Sequence, residues 1–386
     1  MNRKQFIILL VLIAAVGTVG LLVHQRDNHS WQNAGAALGG KLLPGLAVND
    51  IAQVSIKSAA GELNLAKHDN LWRVRERGDY PANFTQISEL LIKFGDLKIA
   101  QSQEVGASQL GRFQLLRPGS GANAGTLVEF KDQAGKVLAS VRLGKPHQRQ
   151  AAAGSQFGGE GYPDGRYVMV GAETGTLAVI SDPLETVQPK PESWLNKDFF
   201  SIEKPATIAV QFPDATNSWQ LTRAAETNDW ELVEAKPGEK LDASKISSVT
   251  RPFSSPSFND VAPLDAPATL TQPTNGIVVT VTTLDGFTYV AHVGNKQDEN
   301  YPVQFSITAS LPAERTVAKD EKPEDKAKLD QAFKDQHSRL TDKLTKEKAF
   351  TSRVYYLPAY SLDEILKPRG QLLTEVKKEE ATAAAK

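Results

Sequence analysis

The chain has 386 residues, 40% of them hydrophobic and 23% charged, with a net charge of -1 and no cysteine. The missing cysteine excludes disulfides, thiol catalysis and Cys-based zinc or iron–sulfur sites. The balanced charge argues against a nucleic-acid partner, whose phosphates call for a basic face, and the length suggests two domains of ordinary size.

The first element is an uncharged run of eighteen residues from Phe6 to Val23. At about 1.5 Å per residue a helix of that length reaches roughly 27 Å, enough to span a bilayer. Arg3 and Lys4 precede it, so the positive-inside bias puts the N-terminus in the cytoplasm and the rest of the chain outside, in the periplasm of a Gram-negative cell. A cleaved signal peptide is the rival reading, with Ala34-Gly35-Ala36 as small residues for cleavage. From His24 to Gly45 no period is visible, and a flexible tether is expected.

Short strands follow. Ile51 to Ile56, Leu63 to Leu65 and Leu71 to Val74 read as a meander, with His68-Asp69-Asn70 as a tight turn. Asn83 with Gln86 forms a helix-opening pair, followed by Phe84, Ile87, Leu90, Leu91 and Phe94 on an apolar stripe that calls for a sheet to cover. Beyond a polar loop, Thr126 to Phe130 and Val137 to Leu143 flank Asp132-Gln-Ala-Gly135 as a second hairpin. Arg166 to Val170 and Leu177 to Ile180 form a third.

The same order of elements then returns. Thr207 to Phe212 repeats the opening strand, and Trp219 to Thr222 with Trp230 to Val233 repeats the hairpin. Asp242 opens a second helix with Ile246, Val249 and Phe253, and Gly276 to Val281 pairs with Phe287 to Val293 around Asp285-Gly286. Offsets of 158 between Trp72 and Trp230 and 159 between Asn83 and Asp242 point to a tandem duplication. The expected class is therefore α+β: a membrane helix, then two β-rich units, each an antiparallel sheet with one covering helix. The expected division is a cytoplasmic cap over 1–5, the membrane helix over 6–23, the tether over 24–45, units over 46–200 and 201–375, and a disordered tail over 376–386.

The second unit carries an insertion at 311–349, between Tyr301 to Ile307 and its expected partner strand Arg353 to Leu357. Residues 319–348 hold nine Lys or Arg and eight Asp or Glu, with acid-to-base pairs four apart such as Glu324/Lys328 and Asp342/Lys346, which predicts an exposed helix. Its thin apolar stripe, Leu329, Phe333, Leu340 and Leu344, is the candidate partner-binding surface. Ser361 to Glu364 reads as a capping box opening a last helix.

No catalytic, cofactor or metal residue is assigned. The six histidines make no metal-ligand spacing, the glycine-rich stretch Gly154 to Gly165 lacks a phosphate-loop ending, and Gly-x-Ser-x-Gly is absent. Asn295, Asp298 and Glu299 do not match a calcium loop. The four tryptophans after the tether read as core anchors.

Taken in order, Leu71-Trp72-Arg-Val74, Phe84 to Leu91, Asp96-Leu-Lys-Ile99, Leu143-Gly-Lys145, Gly165-Arg-Tyr-Val168, Ser193-Trp194, Trp230-Glu-Leu232, Asp260-Val-Ala-Pro263, Tyr356 to Tyr360 and Leu366-Lys-Pro-Arg369 resemble the bacterial family named domain of unknown function 4340. That resemblance implies membrane-anchored extracytoplasmic proteins, often encoded beside ABC transporters with gliding-motility-type auxiliary subunits, and it carries over no catalytic residue. The functional expectation is a non-enzymatic accessory protein whose partner is an ABC permease or auxiliary membrane subunit. The alternative is an envelope hydrolase or ligand-binding protein using a cleft between the units, with Asp164, Glu160 or Asp198 as dispersed acids.

Overall fold

Alternation of apolar and polar residues builds the first sheet. In β1 (Gln53–Ser58) and β2 (Gly61–His68) Val54, Ile56, Leu63 and Leu65 turn inward, and their neighbours turn out. The computed structural model describes residues 38–148, 162–171, 176–250, 254–267, 276–317 and 321–374. Among these no helix is long and apolar enough to cross a membrane, and the run Phe6 to Val23 lies outside them, as do Phe253, Glu160 and the tail 376–386. The chain divides between Asn196 and Lys197 into two compact units.

The first unit continues with β3 (Leu71–Val74), β4 (Tyr80–Pro81), α1 (Phe84–Asp96), β5 (Ile99–Glu104), β6 (Thr126–Lys131), β7 (Val137–Gln148), β8 (Pro163–Val170) and β9 (Thr176–Ile180). The strands form one antiparallel sheet in the order β4-β3-β2-β1-β6-β7-β8-β9-β5. The turn before β3 places Asp69 and Asn70 at φ 49° and 63°, the left-handed pair a two-residue hairpin requires. The Asn83 side chain accepts from the Gln86 amide at 3.2 Å, which opens α1 as expected. Ile87, Leu90, Leu91 and Phe94 are buried against the sheet, and Phe94 meets Phe130 edge-on at 4.9 Å. Phe84, expected on that stripe, is instead 66% exposed.

Residues 39–45, expected as tether, are part of this unit. Gly39 and Gly40 exchange backbone hydrogen bonds with Ile99, the Leu42 amide donates to the Leu97 carbonyl at 2.7 Å, and Leu42 and Leu43 are buried. The two leucines supply the apolar area that a tether lacks.

The second unit comprises β10 (Pro205–Gln211), β11 (Trp219–Thr222), β12 (Glu231–Leu232), α2 (Ala243–Thr250), β13 (Asp260–Val261), β14 (Ile277–Thr283), β15 (Phe287–Val293), β16 (Asn300–Ala309), α3 (Pro323–Lys348), β17 (Val354–Pro358) and α4 (Ala359–Ile365). Its strand order is β12-β11-β10-β14-β15-β16-β17-β13. Apart from β4, this is the connectivity of the first sheet. In both units the strand after the first helix, β5 or β13, crosses to the far edge and pairs antiparallel with the last strand, β9 or β17.

Two expectations for this unit are corrected. Beside the covering helix α2, the expected insertion helix α3 and closing helix α4 are both present. The latter begins at Ala359, two residues before the expected capping box, so the Ser361 hydroxyl lies inside the helix and donates to the Pro358 carbonyl at 2.7 Å. The strand expected from Trp230 to Val233 shrinks to two residues. Trp230 is only half-buried, with the Arg223 guanidinium 4.6 Å from its ring, whereas Trp72, Trp194 and Trp219 are buried.

The core of the second unit is aromatic. Phe199, Phe200, Phe258, Phe305, Phe350 and Tyr355 interlock with ring centroids 4.3–6.2 Å apart. Beside them an apolar cavity of about 40 Å³ is lined by Val279, Val281, Tyr289, Ala291, Leu362 and Ile365 among others.

Candidate functional site

Helix α3 is the element that the sequence marked for partner binding. Its 26 residues begin with Pro323, with Glu324 and Asp325 near its N-terminus and Lys346 and Lys348 in its last turn, each complementing the helix dipole. The expected pairs Glu324/Lys328, Asp330/Lys334, Asp335/Arg339 and Asp342/Lys346 do not close within 4 Å, since exposed ions gain little by meeting in water. The ion pairs of α3 fasten it to its own unit instead.

At its N-terminal end, Arg315 bridges Glu321 and Asp330, the latter at 2.7 Å, and these carboxylates raise the guanidinium's pKa. At the other end Lys343 donates to the Ser201 carbonyl at 3.2 Å, lies 3.7 Å from Glu203 and 3.8 Å from Glu347, and stands 5.5 Å from the Phe287 ring centre. Glu347 is buried and accepts from the Tyr289 hydroxyl at 2.8 Å. Burial raises the pKa of Glu347, and burial together with the adjoining carboxylate raises that of Tyr289.

At about 100° per residue, Leu329, Phe333, Leu340, Leu344 and Glu347 share one stripe roughly 60° wide. Its C-terminal part faces the unit, since Glu347 is buried there, and Leu340 and Leu344 are half-buried. Towards the N-terminus Phe333 is half-buried and Leu329 is 41% exposed. The four candidates therefore lie on one line, with Leu329 the most accessible.

A second cluster, absent from the sequence reading, sits on β7 and β8 of the first unit. His147 Nδ1 lies 2.6 Å from Asp164 Oδ1, the His147 ring meets Tyr167 at 5.4 Å, and Tyr167 meets Phe113 at 4.9 Å. Lys145 Nζ is 5.7 Å and 5.9 Å from the Phe113 and Tyr167 ring centres. Gly144 lets the turn ending at Phe113 lie on the hairpin, because a Cβ there would collide with the Phe113 carbonyl. The sequence signal for this site was the alternation of Lys145 and His147, which places both on one face once β7 is extended beyond Leu143 to Gln148.

Asp164 is thus engaged by His147, while Asp198 belongs to the other unit. Among the described residues no group of three His, Cys, Asp or Glu side chains could hold a metal ion.

A family model described as Domain of unknown function (DUF4340) matches residues 72–273. The match holds the β7–β8 cluster and stops short of α3. No curated protein and no solved structure matches the chain.

Proposed function

The chain belongs to the family of domain of unknown function 4340, and from that premise we propose that it is a non-enzymatic accessory protein of an ABC-type transporter or envelope complex. In this reading residues 6–23 hold it in the bacterial inner membrane with the N-terminus cytoplasmic. The body is a tandem duplication standing in the periplasm, and α3 docks on an ABC permease or auxiliary membrane subunit.

The observation that carries the reading is the way α3 is held. A helix pinned at both ends by Arg315 and by Lys343 with Glu347 is fixed in place before any partner arrives, yet Leu329 stays 41% exposed on its stripe. Fixing the helix in advance lowers the ordering cost of association. The shared strand order of the two sheets supports the duplication, and the charge pattern at Arg3 and Lys4 supports the orientation.

The test is cross-linking in cells, gentle solubilisation, and capture of the tagged chain beside the Leu329→Asp/Phe333→Asp variant. Recovery of a permease or auxiliary subunit by the parent chain and its loss in the variant is the expected result. Equal recovery by both would remove α3 from the interface, and recovery of no membrane subunit by the parent chain would remove the accessory reading.

A further inference from the structure

The β7–β8 cluster of the first unit gathers hydrogen-bond donors that meet no acceptor among the described residues. Four basic side chains approach this part of the sheet, and two of them are committed to the backbone. Arg142 donates to the Leu115 carbonyl at 2.9 Å, and Arg166 donates to the carbonyls of Gly144 at 2.8 Å and of Pro183 and Leu184 at 3.2 Å. Arg142 is buried and Arg166 half-buried, and both serve as struts for the strands and the adjoining turns.

The other two basic groups are placed differently. Lys145 is exposed and makes no ion pair among the described residues, resting against Phe113 and Tyr167. His147 spends Nδ1 on Asp164 at 2.6 Å, which holds the ring in place and leaves Nε2 without a partner among the described residues. The Tyr167 hydroxyl likewise makes no hydrogen bond among the described residues, while its ring packs on Phe113 and His147. The Lys145 ammonium and the His147 ring therefore both lie beside the Tyr167 ring, which carries the phenol. Their frame is rigid: Gly144 admits the Phe113 turn, Gly165 admits the Ile180 carbonyl, and a Cβ at either position would collide with it. Phe113 and Tyr167 also pack on the buried Val105, Leu115, Met169 and Leu177, so the floor of the site belongs to the core.

We propose that Lys145, His147 and Tyr167, braced by Asp164 and Phe113, bind a compact oxyanion, the phosphate or carboxylate group of a small ligand or a lipid headgroup. The ammonium supplies charge and up to three N–H donors and the phenol one O–H, and a His147 ring carrying both of its protons adds an Nε2–H. Asp164 is the one carboxylate of the cluster among the described residues, and its pairing with His147 removes it as a competitor for the anion. The site lies within the family-matched residues and is independent of α3 docking.

The experiment is a titration of the full chain, at low ionic strength, with inorganic phosphate, acetate and glycerol phosphate, followed by backbone amide shifts of β7 and β8. Saturable shifts are expected, and Lys145→Ala should weaken binding about tenfold, the loss typical of one charge-assisted hydrogen bond. Lys145→Arg should restore most of that loss, and His147→Ala should weaken binding severalfold. Lys145 is exposed, so its replacement leaves the fold intact, and an unchanged spectrum outside β7 and β8 checks this. Tightest binding of glycerol phosphate assigns the site to a headgroup, of inorganic phosphate to a free anion, and of acetate to a carboxylate. No saturable shift with any probe, or equal affinity in the parent chain and the Lys145→Ala/His147→Ala variant, would overturn the proposal.

Discussion

The two units share a strand order but fill it differently. In the first, Phe130 on β6 faces Val54 on β1, and Phe94 descends from the thirteen-residue α1 onto it. At the matching register of the second, Val281 on β14 faces Ile208 on β10, α2 has eight residues with only Ile246 and Val249 buried, and a cavity of about 40 Å³ opens beside Val281. The lost volume is replaced from elsewhere, by the six-ring cluster to which Phe199 and Phe200 bring side chains from just inside the unit boundary. The sheet faces turned away from these cores differ as well. In the first unit that face carries ion pairs, Lys57 with Glu62 and Lys131 with Glu129, both at 2.9 Å. In the second, Thr222, Thr207, Thr282, Thr288 and Thr308 stand in register across five strands. Topology is thus set by where the chain turns and crosses, and the same frame accepts either a helix-borne or a strand-borne core.

Breaking each core at its keystone should give the largest effects. Phe94→Ala is expected to cost about 3–5 kcal/mol, read by hydrogen exchange as lost protection in the first unit alone. Phe200→Ala should cost a similar amount in the second unit alone. Loss of protection in both units from either change would mean that they do not hold separate cores. Next in size, Asn83→Ala removes a cap from a helix its unit depends on and should cost about 1 kcal/mol. Asp242→Ala removes the corresponding acceptor from Ser244, at 3.0 Å, but α2 packs on α4 and the C-terminal turn rather than a broad sheet face. A loss there larger than that at Asn83 would reverse the comparison. Filling the cavity by Ala291→Val should stabilise the second unit by about 0.5–2 kcal/mol. The equivalent position of the first unit, Val141, already carries that side chain.

What could be read in the sequence was whatever rests on local chemistry. Asn83 with Gln86, Asp69-Asn70, and Asp132 to Gly135 each declare a cap or a turn through their own side chains, and each is found where expected; Asp132 accepts from the amides of Ala134 and Lys136 at 2.9 Å. Elements held by distant partners were hidden. β5 reads Ile-Ala-Gln-Ser-Gln-Glu with no apolar alternation, because it is the edge strand of the sheet, with β9 as its one strand neighbour. Trp230 promised a strand by analogy with Trp72, but Arg223 covers its ring and the strand ends after two residues. The pairing of His147 with Asp164 depends on two strands meeting across residues 149–161, a closure that no local pattern announces. For α3, its charge density marked the helix, while the ties that seat it, Arg315 to Asp330 and Tyr289 to Glu347, join residues 15 and 58 positions apart.

The smallest expected signal is a slope, and it separates two carboxylates of the second unit. Arg369 holds Glu239 down to about 2, through a hydrogen bond at 2.7 Å. Its contribution is therefore present above the ordinary carboxylate value of 4.5 and is lost as pH falls towards about 2. Glu347 is shifted the other way, by burial. Between 4.5 and its raised value the folded chain keeps a proton that the unfolded chain has released, so stability falls as pH rises through that window and is greatest below it. The remaining charged or titratable neighbours that face Glu347 are Lys343, Glu203 and Tyr289. Glu347→Gln keeps an acceptor for the Tyr289 hydroxyl but cannot ionise, so its urea midpoint should gain on that of the parent chain as pH rises through the window. Glu239→Gln should instead lie below the parent at neutral pH and rejoin it in acid. Parallel curves for Glu347→Gln and the parent chain would mean that the seat of α3 holds an ordinary, solvated carboxylate, and that Lys343 and Arg315 alone fasten the helix.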